Sequence, residues 1–295
     1  SKELNHQKIY DYLRFGLTDH GNKTILDRIQ QLPPAHYLEI NLNNPQIATP
    51  RRYWQIKQKK FEGSFKEAAE TIRHIFLKNV ERHLRTDVPF GAALSGGIDS
   101  SAIVMAVRHL EPDADINTFS YIAEGKKSEE KWIDIVNNAA KTKPHKIRKT
   151  RQDLVNNLEE LIQIQGEPFG TTSIFAQYSV FHAAKEAGIK VMLDGQGADE
   201  IFAGYLELTG AQLATLFRSR HFCKAMKLLH YAGKLPGNSN SLVIYNAVDC
   251  LLPTCVQKPL RKLVGKNIAP KCLNIDWFKK HGTSIRSTKY TRKKN

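Results

Sequence analysis

The sequence predicts an α/β protein: a parallel sheet with helices on both faces, followed by a mainly helical, basic segment. Short apolar runs alternate with segments of helical period between residues 90 and 193, the order that builds a parallel sheet. Two of these runs end in glycine-rich turns that lead into helices, where ligands bind on such sheets. The charge is divided: residues 1–210 hold 27 basic and 27 acidic side chains, whereas residues 211–295 hold 17 basic and two acidic.

The elements follow in order. Residues 1–60 read as an irregular αβ piece, with a turn at Leu32-Pro33-Pro34 and strand-like alternation over residues 36–40. Asn43-Asn44-Pro45 closes that strand, and Arg51-Arg52-Tyr53-Trp54 follows. Residues 65–85 are helical, because Ile72, Ile75, Phe76 and Val80 recur at helical spacing, and Asp87-Val88-Pro89 ends them. The α/β pattern then runs as a buried strand at 90–94, a helix at 100–110 and a strand at 116–122. A helix opens at Ser128 and runs to 141, and His145-Lys146-Ile147 forms a short strand. The next helix, 153–165, puts Leu154, Leu158, Leu161 and Ile162 on one face. The helix at 173–187 is stopped by Gly188, and residues 189–193 form a strand. After residue 210 the pattern weakens to a helix at 213–229, a loop at 236–240 and an apolar helix or strand at 242–252. Three segments are expected: 1–60, 61–210 and 211–295.

Composition narrows the classes. With 295 residues and 41% hydrophobic content, the chain can bury one large core or two small ones. It shows neither a signal peptide nor an apolar run of about 18 residues, so no membrane partner is expected. Cys223, Cys250, Cys255 and Cys272 form no C-x-x-C pair, which argues for a reducing, cytoplasmic compartment. Cys250 and Cys255 read as buried, Trp54 and Trp132 as core anchors, and His145 as a packing or surface residue. The net charge of +15 lies in the last 85 residues, a pattern more often a solvated surface than a binding site. The tail 289–295 reads as a frayed end.

Chemistry concentrates in two loops. In the first, a strand feeds Leu94-Ser95-Gly96-Gly97-Ile98-Asp99-Ser100-Ser101. Glycines let the backbone approach an anion, the helix start offers unpaired N–H groups, and the serines add hydroxyls. Asp99 is out of place in a purely anionic pocket but suits Mg²⁺ beside a phosphate. The string is neither a Walker loop, since its lysine is missing, nor G-x-G-x-x-G. An ordinary strand-to-helix turn can also hold two glycines; the full string favours the phosphate reading. The second loop, Asp194-Gly195-Gln196-Gly197-Ala198-Asp199-Glu200, again joins a strand to a short helix. Its acids either stabilise a helix start or supply a second metal ligand.

Three stretches, Leu94 to Ser101, Gly166-Glu167-Pro168-Phe169 with the helix from Ser173, and Val191 to Tyr205, resemble the synthetase domain of the glutamine-hydrolysing asparagine synthetases. That domain belongs to the PP-loop ATP pyrophosphatase superfamily, with a Rossmann-like sheet. Thr24 to Tyr37, with Leu32-Pro33-Pro34, and Tyr53-Trp54 resemble the tail of that family's glutaminase domain and its linker. The resemblance implies an AMP-forming amide ligase that uses ATP and Mg²⁺, acts on aspartate or a related carboxylate through an acyl-adenylate, and takes ammonia from glutamine. It implies that Ser95, Gly96, Gly97 and Ser100 bind pyrophosphate and that Leu94 and Tyr121 contact the nucleotide. Asp194 and Gly195 line the AMP side, and Asp99 and Asp199 hold Mg²⁺. Gln196, Asp199 and Glu200 are the candidate catalytic residues.

Three departures limit the resemblance. No cysteine precedes Cys223, so a glutaminase nucleophile is absent and the chain, which starts at Ser1, reads as a fragment of a longer protein. Gln196 stands where the family has Asp or Glu, and an amide can orient a substrate but not act as a base. The family's later Arg-x-Pro-Phe-Leu-Asp segment and its lysine are not recognisable in residues 211–295. Two alternatives stay open: a PP-loop ligase acting on tRNA, motivated by the basic segment, and a truncated domain that binds nucleotide without turnover. The Glu167-Pro168-Phe169 stretch and the second loop argue against a nucleic-acid partner; a homodimer stays open.

Overall fold

A computed structural model describes residues 3–43, 45, 48–57, 59–125, 128–235, 239–252, 270 and 272–285. Residues 236–238 of the expected loop, Cys255 and the tail 289–295 lie outside the described residues. The chain forms two compact units, Ser1–Asp194 with Pro270–Asn295, and Gly195–Ala269.

The first unit is built on four parallel strands, β3 (Phe90–Ala93), β4 (Asn117–Tyr121), β5 (Lys143–Ile147) and β6 (Val191–Leu193), in the order β5-β4-β3-β6. Side chains alternate across this sheet, and each face buries its own set. Ala92 and Leu94 with Ile116 and Ile122 face a core completed by Val80 of α2 (Phe65–His83), Val104 and Val107 of α3 (Ile98–Leu110) and Ile133 of α4 (Glu130–Ala140). Phe119 and Ile147 face the other way, onto Val180 and Ala184 of α6 (Ser173–Glu186). Helices therefore cover both faces, as the alternating pattern predicts. Local signals agree. Ser64 and Glu67 form a capping box on α2, and Thr150 and Asp153 another on α5 (Arg151–Gln165).

The start of this unit holds α1 (His6–Phe15), capped by Asn5 and closed by Gly16, and a hairpin of β1 (His36–Tyr37) and β2 (Arg51–Arg52). The strand expected over 36–40 is only two residues long. Leu38 and Ile40 stay exposed, so their alternation has no core to face. The last helix among the described residues, α11 (Ile275–Lys280), returns to α1 through an edge-to-face contact of Phe278 with Tyr10.

The second unit contains α7 (Ala198–Phe202), α8 (Leu206–Arg218), α9 (Phe222–Ala232) and α10 (Asn240–Leu251). Leu213 and Ala214, Ala225 and Ala232, and Val243 and Ala247 pack as its core. The single helix expected over 213–229 is two helices. Arg220 takes a left-handed conformation (φ 57°), and the turn lets α8 and α9 share one core with α10. The ambiguous stretch 242–252 is helical, capped by Ser239.

Two expectations about aromatic side chains need correction. Trp132 is 56% exposed and Trp54 58% exposed, so neither is a core anchor. Trp132 sits one residue before buried Ile133, about 100° round the helix from the face that packs. Trp54 follows a hairpin strand whose own two residues are exposed. His145 packs as expected, stacked on Phe119 with centroids 4.4 Å apart and its Nε2 3.1 Å from Asn117 Oδ1. Cys250 is half-buried.

Candidate active site

The strand order marks the place of a candidate site. From β3 the chain steps outward through β4 to β5, then returns to place β6 on the other side of β3. The order reverses between β3 and β6, and open parallel sheets bind ligands at such a switch point, outside the carboxyl ends of the strands. The first glycine loop leaves the carboxyl end of β3 and Asp194 that of β6; Ala92 pairs with Leu193, so these ends lie side by side.

The first loop is held in place on every side. Leu94 is 1% exposed and its N–H donates to the Phe119 carbonyl at 2.9 Å, so its side chain belongs to the core and only its main chain is available to a ligand. Gly96 adopts φ +83°, and a β-carbon there would stand 3.0 Å from Trp132 Cβ, 3.2 Å from the Ile133 nitrogen and 3.3 Å from the Glu129 carbonyl oxygen. Both the conformation and the close approach of α4 require glycine. Ser100, 7% exposed, organises the turn: its Oγ accepts from Ser95 N–H (3.2 Å), donates to the Gly97 carbonyl (3.3 Å) and lies 3.1 Å from Ser95 Oγ. Ser95 Oγ in turn accepts from Gly97 N–H at 3.3 Å.

Helix α3 then starts at Ile98 with Gly97 as its N-cap, and no side chain caps it. Its first intrahelical bond runs from Ser101 N–H to the Gly97 carbonyl, 3.1 Å. The first-turn N–H groups of Ile98, Asp99 and Ser100 are thus left for a ligand, at the positive end of a 13-residue helix dipole. Asp99 is half-buried in that turn, and no cation pairs with it among the described residues. Tyr121, also half-buried, ends β4 on the neighbouring strand.

The second loop is held differently. Asp194 and Gly195 are half-buried and Gln196 is exposed. Gly197 takes φ +91° with open space around it and caps the five-residue helix α7, none of whose residues is buried. Asp199 and Glu200 are both exposed in its first turn. The Tyr205 hydroxyl donates to Glu200 Oε1 at 2.6 Å, which holds the Glu200 carboxyl below the usual glutamate range and pushes the Tyr205 phenol up. Gly204 lies against the Asp199 carboxylate. Gly204 and Tyr205 fall at the end of the stretch from Val191 to Tyr205 that carries the family resemblance, but the sequence assigns them no role, and it assigns none to the start of α4. A glycine and a tyrosine just after paired acids were the signal for the first two.

Among the described residues no three His, Cys, Asp or Glu side chains gather at metal-binding spacing. A single magnesium ion beside phosphates needs only one or two protein carboxylates. Asp99, without an ion-pair partner among the described residues and beside the first-turn N–H groups of α3, has the donor chemistry for that role.

Comparison with known proteins gives the lineage. The family model for asparagine synthase matches residues 71–250. A putative glutamine-hydrolysing asparagine synthetase of Methanocaldococcus jannaschii is 34% identical over 186 residues, covering 62% of this chain and 35% of that protein. An asparagine synthetase of Bacillus subtilis is 30% identical over 195 residues (61% and 31%), and one of Arabidopsis thaliana 33% identical over 181 (58% and 31%). The chain spans about a third of the length of these curated relatives. A solved NH3-dependent NAD synthetase from Campylobacter jejuni aligns with a TM-score of 0.32 and 13% identity, covering 72% of this chain and all of that one; the fold assignment rests on the strand order. No described helix is long and apolar enough to cross a membrane. The family match takes in both glycine loops and the sheet that carries them, over more than half of the chain, and on that ground the chain belongs to the asparagine synthase family.

Proposed function

We propose that this chain carries the synthetase part of an ATP-dependent, AMP-forming amide ligase, acting on aspartate or a related carboxylate. The observation that carries the reading is the pre-set anion cradle of residues 95–101 at the switch point of a parallel sheet. A substrate carboxylate oxygen attacks the α-phosphorus of ATP, the bond to the bridging oxygen breaks, and pyrophosphate leaves. Ammonia then attacks the acyl carbon, loses a proton, and AMP leaves with the electron pair of the broken carbon–oxygen bond.

Each residue has a stated part. Ser95, Gly96, Gly97 and Ser100, with the free N–H groups of α3, receive the pyrophosphate, and fixed donors of this kind stabilise charge as it develops. The Leu94 main chain and Tyr121 meet the nucleotide; Asp194 and Gly195 line its AMP side. Asp99 from the first loop and Asp199 from the second are assigned to Mg²⁺, which neutralises phosphate charge when bound. Gln196 orients a substrate, and Glu200 is the remaining carboxylate available for proton transfer. Residues 1–60 are assigned to the tail of a glutaminase domain and its linker, 61–210 to the synthetase core and 211–295 to a basic helical part. Ammonia comes from a glutaminase domain outside this chain.

The test uses the full-length protein with ATP, Mg²⁺, aspartate and ammonia. AMP with pyrophosphate is expected, and ADP with phosphate would overturn the proposal. The amide at Gln196 favours a second reading, a domain that binds nucleotide without turnover. Tight ATP binding with no AMP formed, whichever carboxylate is supplied, would select it.

A further inference from the structure

The second loop presents acids from a helix too short to hold them. Five residues give barely more than one turn, and none of the side chains of α7 is buried. An exposed carboxylate on such a segment has several rotamers open to it, and each disordered rotamer weakens any ligand it is to bind. Two residues just beyond α7 remove that freedom.

The first is Gly204. Its φ is not among the positive values in the chain, so conformational freedom is not why glycine stands there. Space is. A β-carbon at this position would collide with Asp199 Oδ1, and would lie 2.7 Å from its Cγ and 3.2 Å from its Cβ. The main chain brings the two together: Gly204 N–H donates to the Asp199 carbonyl at 3.0 Å, while Ala203 turns the chain in a left-handed conformation (φ 59°). The second residue is Tyr205, whose hydroxyl reaches back to Glu200 Oε1 at 2.6 Å. Each of the paired acids is therefore met by one of two consecutive residues.

We propose that Gly204 and Tyr205 are positioning residues for the second loop: the bare Cα of Gly204 gives the Asp199 carboxylate its place, and the Tyr205 hydroxyl fixes Glu200. The sequence Asp199-Glu200-Ile201-Phe202-Ala203-Gly204-Tyr205 is then a self-contained module that orients its own acids without a buried core. The inference rests on the reading of Asp199 and Glu200 as parts of an ATP-using site.

Calorimetric binding of α,β-methylene-ATP to the full-length protein, with Mg²⁺ and then with EDTA, separates the possibilities. Wild type should bind more tightly with Mg²⁺. Gly204→Ala should lose about 10–100-fold of that metal-linked tightening, the usual cost of disturbing a residue that supports a metal ligand, with binding in EDTA unchanged. Asp199→Ala should lose as much, and the double variant no more, because one interaction is being removed twice. Tyr205→Phe and Glu200→Gln should likewise slow AMP formation by the same factor singly and together. Should Gly204→Ala fail to fold, adding Asp199→Ala removes the collision and restores folding; if it does not, the proposal falls. Full metal-linked tightening in Gly204→Ala, or additive losses in either pair, would also overturn it. Wild type showing no metal-dependent binding would remove the ATP-site reading, and the positioning claim with it. Metal-dependent binding that survives Gly204→Ala removes the positioning claim alone.

Discussion

The two glycine loops look alike in sequence and are built on opposite principles. The first is rigid through its surroundings: α4 packs so close that a β-carbon on Gly96 would stand 3.0 Å from Trp132 Cβ, Ser100 bonds to both ends of the turn, and the helix that follows is 13 residues long with Val104 and Val107 in the core. The second stands in open space at Gly197, leads into five exposed helical residues, and is steered from within by Gly204 and Tyr205. Under the proposed function, the difference follows from what each would offer a ligand. Backbone N–H groups recognise an anion only if the main chain is fixed before binding, and that demands packing. Carboxylates act through side chains, and local contacts can aim those without burying the segment.

The largest effect should come from substituting the glycine on which the first loop closes. Gly96→Ala imposes a left-handed alanine and drives a methyl group against the backbone of α4. The two costs together come to about 2–5 kcal/mol, seen as a fall in the urea midpoint, with nucleotide binding lost. Gly197→Ala at a similar φ meets nothing, so conformational strain of about 1–2 kcal/mol is all that remains. Equal losses at the two sites would erase the contrast drawn between the loops.

Next in size is Ser100→Ala. The substitution removes an acceptor from Ser95 N–H and a donor to the Gly97 carbonyl in a nearly buried turn, at about 1–2 kcal/mol of stability. Nucleotide affinity should fall alongside it, because the cradle loses its shape as well as a hydroxyl. An affinity that stays at the wild-type value would show that the turn is held by Gly96 and α4 alone.

The sheet and the first loop were legible from sequence because their signals are local and agree with one another. Residues 90–94 are apolar for a strand buried on both faces, and Ser95, Gly96 and Gly97 follow without a break. What escaped is tertiary. Nothing in the spacing of Trp132 and Ile133 says that α4 will close on Gly96, or that Trp132 will miss the core by one helical position. The break at Arg220 leaves a weak local sign: Arg218-Ser219-Arg220-His221 interrupts the apolar spacing for one turn, which an exposed helical face also allows, and it is the packing of α8 and α9 around α10 that makes the turn necessary. Likewise the strand expected at 36–40 shrank to two residues because alternation specifies a face only where something covers it.

A smaller gain in stability tests the second loop. Ala203 holds a left-handed conformation (φ 59°, ψ 42°) at the end of α7, where glycine is the usual residue. Ala203→Gly should therefore stabilise the second unit by up to about 1 kcal/mol, measured as a higher thermal midpoint. A loss of stability would mean that the alanine methyl packs, against the open character assigned to this loop.

The smallest effect should be confined to the first loop, present at neutral pH and vanishing as the pH falls. Glu130, the first residue of α4, bonds Arg148 at 2.7 Å and Lys146 at 2.9 Å, which ties the helix that closes on Gly96 to the end of β5. Arg148 first, then Lys146, hold the Glu130 carboxyl below its ordinary value. A depressed carboxyl contributes stability that is complete above its unfolded value and lost as the pH falls through the folded one. Lys146 is raised, by Asp134 and then Glu130, so its share is complete below the ordinary lysine value and disappears only as the pH rises through the raised one. Glu130→Gln should thus flatten the decline of stability on the acid side while leaving much of the alkaline decline, since Asp134 still holds Lys146 at 2.7 Å. All three side chains are partly exposed, so added salt should shrink the difference between variant and wild type. Nucleotide binding should weaken in the variant at neutral pH, because the rigidity of the first loop is borrowed from α4, whereas the contact between Tyr205 and Glu200 in the second loop should be untouched. An acid limb as steep in the variant as in wild type would place the tie between α4 and the sheet in the buried Thr118–Asn137 hydrogen bond of 2.7 Å instead.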